Sequence, residues 1–283
     1  MNFDAKELTH LLLRWTHVFA GILWVGTTYY FTWLDGRFSA LLESAKKAGE
    51  NRIWMVHSGG FYVVEKQRNP NGMPEKLHWF RWEAAITWLS GFLLLGLIYY
   101  DGRLLVESEG ARLSAGAAMA ISLVSLAGAW LVYDLLWRFL PTGNRRGHEA
   151  EDSANPPAQA NGYVGVIICC ALIAATTYGL FQFFASRAAC LQLGAMLGTI
   201  MTANVWMRIL PAQRRMVAAL TAGREPDQAE ALCAKMRSKH NTFIVIPVVF
   251  LMLSPHFPGT YRWTTICILV FLGLIAARFV RRA

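Results

Sequence analysis

The sequence predicts an all-α integral membrane protein of about seven transmembrane helices, with its N-terminus outside and its C-terminus inside. Three observations carry this. The 283 residues are 55% hydrophobic and only 16% charged, and the mean hydropathy is +0.33, a composition of the membrane class. The apolar residues fall in runs long enough to cross a bilayer of ~30 Å. Lys and Arg also divide unevenly between alternate loops, seventeen (from Arg37 to Arg282) against five (Lys6, Arg103, Arg112, Arg187, Arg262). The positive-inside rule makes the richer side cytoplasmic. It also accounts for the net charge of +9 without nucleic acid.

In chain order, the spans are expected at about 8–34, 79–100, 114–140, 163–185, 188–210, 241–256 and 262–280, forming one membrane domain over 1–283. The first apolar run carries His17 and is too long for a cleaved signal, so it reads as a retained span. From Arg37 to Val56 the charges keep helical periodicity, which predicts an amphipathic helix along the cytoplasmic surface. A Gly-containing turn at His57–Gly60 then leads into β-like FYVVEKQ. Residues 141–162 are a polar linker. A second amphipathic segment, Pro226–Arg237, has Pro at a position like the first of a helix.

The stretch SKHNTFIVIPVVFLMLSPHFP, from Ser238, reads as a short span broken at Pro247, with His240-Asn241 at its inner end and His256 at its outer end. None of the five cysteines forms CxxC or CxxCH, so neither a disulfide framework nor a covalently attached haem is expected.

Depth groups the intramembrane polar residues. Glu83, the i, i+4 pairs Asp134/Arg138 and Asn204/Arg208, and His240-Asn241 all fall near the inner boundary, with His57 and His78 beside them. A charge within a span costs roughly 2.5–3.5 kcal/mol and therefore faces protein or a wet cavity. Two readings stand. One is a site in which His57, His78, Glu83, Asp134 and His240 do acid–base work while Arg138, Asn204, Arg208 and Asn241 bind substrate. The other is an ion-pair lock of Asp134 with Arg208 and Glu83 with Arg138. On the outer side, His17 and His256 are candidate haem ligands, His17 sitting beside small Ala20 and Gly21. A hydrogen bond from His17 to a neighbouring backbone, or another metal, stays open.

Four blocks, HLLLRWTHVFAGILWVGTTYYF, LHWFRWEAAITWLSGFLLL, GTIMTANVWMRILPAQ and SKHNTFIVIPVVFLMLSPHF, resemble the membrane domain of the bacterial integral-membrane urate oxidases (urate hydroxylases). The resemblance implies a multi-pass protein of the bacterial inner membrane. It would oxidise urate to 5-hydroxyisourate and pass the electrons to a c-type cytochrome or another respiratory acceptor, such as a quinone. Many members of that family carry the cytochrome as a C-terminal domain; with no CxxCH here, a separate acceptor is expected. The site residues above come from depth, not from the resemblance. Two other functions fit the same residues, a small-anion transporter and a haem-binding electron-transfer protein.

Overall fold

The computed structural model describes residues 4–43, 52–67, 70, 73–107, 112–140 and 156–281, with backbone alone for 42–43 and 156–162. Among the described residues eight α-helices form: α1 Ala5–Glu43, α2 Trp82–Leu94, α3 Ala115–Phe139, α4 Pro156–Phe183, α5 Ser186–Ala203, α6 Leu210–Thr221, α7 Gln228–Leu253 and α8 Trp263–Val280. One hairpin, β1 Arg52–His57 with β2 Gly60–Glu65, is the sheet among the described residues. Six helical stretches are long and apolar enough to cross a membrane, with α5 and α6 counted as one continuous stretch. α7, which holds the stretch expected as a further span, is not among these six; it packs along α5 and α8.

α5 is the axis of the bundle. Ten of its residues are buried, among them Gln192, Leu193 and Met201, because α2, α3, α4 and α7 all pack on it. α1 is peripheral and leans chiefly on α2; the apolar side chains on its outer face (Leu11, Trp15, Ile22) are exposed, as a lipid-facing helix requires. Buried Gln192 joins α5 to α3 through Ser122 and Ser125, donating to Ser122 O at 2.9 Å and accepting from Ser122 Oγ at 2.7 Å.

Two helices carry a proline without breaking. α5 widens into a π-helical turn, Asn204–Ile209, before Pro211 of α6. The wider turn relieves the clash that a proline ring makes with the carbonyl four residues back. In α7, Pro247 lies against Gly273 of α8, where a Cβ would come within 3.3 Å of the proline ring.

Three expectations change. α7 is neither short nor broken: it starts at Gln228, capped by Asp227, which accepts from Ala229 N at 2.8 Å. His240 and Asn241 therefore lie inside a 26-residue helix, and Pro226 precedes the cap. The surface helix from Arg37 to Val56 is instead the end of α1 and the strand β1, with 44–51 outside the described residues. The alternation of β-branched and aromatic residues in RIWMVH and FYVVE favours strands there. The linker expected over 141–162 lies outside the described residues up to 155, and from Pro156 the chain is already α4.

The two ends of the bundle are set by long-range contacts. Lys6 meets Asp101 at 2.5 Å, and Ala185 N donates to Leu105 O at 2.8 Å, at the end predicted to be outside. At the other end, Lys66 meets Asp35 at 2.6 Å, Phe31 meets Phe80, and Arg281 lies over Phe243.

Candidate functional site

At the end predicted to be inside, α3, the π-helical turn after α5, and α7 bring their polar residues together. Asp134 is 5% exposed and receives two arginines. Arg208 donates through Nε to Oδ1 at 2.9 Å and through Nη2 to Oδ2. Arg237 donates through Nη2 to Oδ1 at 2.8 Å and to the Asp134 backbone oxygen at 3.3 Å. Arg237 is only 2% exposed, and its guanidinium lies 4.9 Å over the ring of Tyr133. Its Nε and Nη1 are buried without a partner among the described residues.

Two guanidiniums on one carboxylate leave one positive charge over. Arg138, one turn further along α3, is exposed and brings no carboxylate to this group. A buried surplus charge is costly unless an anion or water meets it.

Beside this triad runs a hydrogen-bonded chain whose direction is decided at one atom. The Met201 backbone oxygen can only accept, so Asn241 presents its Nδ2 to it, at 2.9 Å. Asn241 Oδ1 then accepts from Asn204 Nδ2 at 3.0 Å, and the same amide donates to Tyr133 Oη at 3.2 Å. The Tyr133 hydroxyl is left to donate to His240 Nδ1, at 2.7 Å. His240 thus accepts on Nδ1 and carries its proton on Nε2, while its ring packs 4.3 Å from that of Trp137. In this tautomer His240 offers a proton to a ligand and does not take one from it. Asn204 is fully buried, and its Oδ1 has no partner among the described residues.

Of the residues expected at the site, Asp134, Asn204, Arg208, His240 and Asn241 converge. His57 is exposed at the end of β1 and takes no part in the cluster. His78 is exposed and rests its ring on Phe80 at 4.5 Å. The Glu83 carboxylate has no hydrogen bond or ion pair among the described residues, so its pairing with Arg138 does not occur, whereas Asp134 with Arg208 does. Arg237 and Tyr133 were not anticipated. Asp227, a strong N-cap residue, was the signal that α7 starts early enough to hold Arg237 one helical turn before Asn241.

Lys6 marks the outer end through Asp101, and eleven residues of helix put His17 roughly 16 Å in. Its Nδ1 meets Thr87 O at 2.8 Å, so Nδ1 carries the proton. The ring lies on the backbone of Gly91, where a Cβ would stand 2.8 Å from its Cε1. His256 is exposed in the 3-10 turn after α7. That turn is tied to Tyr261, which donates to Pro255 O at 2.5 Å. His17 on α1 and His256 in the turn after α7 lie on separate elements, and no contact joins them among the described residues. His17 alone keeps the donor arrangement of an axial ligand, with Nδ1–H fixed by a carbonyl and Nε2 without a partner among the described residues.

Neither the curated proteins nor the solved structures contain a match to this chain. A family model described as "Urate oxidase N-terminal" matches residues 4–283. The matched span takes in every described helix and all of the polar cluster, so the chain belongs to the urate oxidase N-terminal family.

Proposed function

We propose that the chain is a membrane-bound urate oxidase that binds the urate anion at the Asp134 cluster and converts it to 5-hydroxyisourate. The observation that carries this is the surplus positive charge of Arg208, Asp134 and Arg237, the last with two N–H groups unpaired. Urate is a planar anion at neutral pH, and guanidinium groups present donors in the plane that such an anion matches. His240, donating from Nε2, adds a further hydrogen bond to an oxygen or nitrogen of the bound ring.

In the reaction, the oxygen of a water forms a bond to C5 of the purine. Two electrons leave to a c-type cytochrome or quinone of the respiratory chain, and two protons leave to solvent. Arg208 is partly exposed, with 35% of its side-chain area open, and is the side of the triad from which the anion enters. Held between Asp134 and the anion, it keeps the ring oriented while charge redistributes. Haem fits at His17 through Nε2, where it would supply one-electron carriage across the membrane. The residues around it hold the imidazole in place: Thr87 fixes the tautomer and Gly91 the ring plane.

The test is urate consumption by membranes containing the chain, with cytochrome c or a short-chain quinone added. Urate should disappear only with an acceptor present. Membranes rich in folded protein that leave urate untouched with either acceptor would sink the reading.

A further inference from the structure

The β1–β2 hairpin has its outer face reversed relative to a water-soluble hairpin. The register pairs Trp54 with Val63 and Val56 with Phe61 on one face, and Arg52 with Glu65 at its base. All four apolar side chains are exposed, three of them strongly: Trp54 70%, Val56 69%, Phe61 80% and Val63 44%. The opposite face, through Met55, meets α1, with Tyr30 Oη 3.6 Å from the Met55 sulfur. The hairpin and α1 share an apolar groove of about 760 Å³, lined in part by Tyr30, Trp33, Trp54 and Met55. In water, a two-stranded hairpin with apolar residues on both faces has little to hold it and invites aggregation.

Its position says what covers it. At the base, Lys66 pairs with Asp35 at 2.6 Å and Arg52 with Glu65 at 2.9 Å, a charged rim. From Asp35 back to Tyr30 the hairpin follows α1 for roughly 7.5 Å of helix rise, towards the apolar part of that span. On α1 beside the hairpin, Tyr30 and Phe31 are also exposed. Aromatic side chains below a charged rim match the boundary between headgroups and acyl chains. Open strand edges are tolerated there and excluded from the hydrocarbon centre.

We infer that the hairpin is a membrane-interface anchor: the Trp54–Val56–Phe61–Val63 face rests in the leaflet predicted to be cytoplasmic, and an acyl chain fills the groove that the hairpin shares with α1. The inference rests on the membrane reading of α1 and is independent of urate.

The test uses the full chain in nanodiscs of phosphatidylethanolamine and phosphatidylglycerol, with exposed Cys233→Ser as background. Nitroxide labels are placed at Val56→Cys and Phe61→Cys, with Ile22→Cys as lipid control and Arg224→Cys as aqueous control. Both hairpin labels should favour collisions with oxygen over a nickel chelate, several-fold more than the label at 224 and close to that at 22. Independently, brominated lipid should quench less of the total tryptophan emission after Trp54→Phe. Nickel accessibility equal to that at 224 overturns the anchor. Protection from both collision agents overturns it in favour of a protein partner. Dipolar broadening that vanishes on dilution with unlabelled chain overturns it in favour of a second copy.

Discussion

Tyr133 donates its phenolic proton to His240 Nδ1 at 2.7 Å, across 107 residues of sequence. The bond makes His240 a donor at Nε2, and everything upstream of it, from Asn204 to the Met201 carbonyl, serves to keep the phenol pointing that way. Tyr133→Phe should release the imidazole into a mixture of tautomers, visible in its ¹⁵N shifts. Urate turnover should fall about ten- to a hundredfold, the range of one hydrogen bond to a charged group or its loss. Unchanged ¹⁵N shifts and turnover would reject the tautomer role.

Arg208 separates binding from locking. Arg208→Lys keeps the charge and loses the planar donor pair. Turnover should drop sharply while folded yield stays at the wild-type level, and Arg208→Met should lose turnover as well. A Lys variant that oxidises urate normally would leave Arg208 as nothing more than a clasp on Asp134.

Asp134 holds both arginines, so its loss is a stability matter first. Asp134→Asn strands two guanidiniums and should destabilise the fold by about 3–5 kcal/mol, the range for breaking a buried pair. Arg237→Met removes one charge along with its partnerless N–H groups and should cost less. Thermal unfolding in detergent orders the two variants; an Asn variant as stable as wild type contradicts the triad.

His17→Ala should lower the haem-to-protein ratio of purified material, whereas His256→Ala should leave it alone. Gly91→Ala drives a Cβ to 2.8 Å from the imidazole and should have the same effect through displacement of the ring, at about 1–3 kcal/mol of overpacking strain. Wild-type protein that purifies colourless under full haem supply ends the haem assignment.

A reporter fused after Ala283 should report cytoplasm, as the excess of Lys and Arg on that side requires. A periplasmic signal would invert every depth assigned above, including the leaflet that the hairpin occupies.

Hydropathy by itself located the six helical stretches long and apolar enough to cross a membrane, and depth along the chain put Asp134, Asn204, Arg208 and His240 at one level. These are local properties: a helix rises a constant distance per residue, and Asn204 and Arg208 share a face because they are four apart. Tertiary structure decided the rest. Hydropathy averages could not show that α7 continues for three turns below its apolar stretch, so Arg237 was counted with the loops. The rotation of each helix about its own axis sets which neighbour a side chain meets. It turned Tyr133 to His240, left Glu83 without Arg138, and set His17 against Thr87. Packing on α5 fixes that rotation through contacts between residues distant in the chain, and no window of sequence contains both partners.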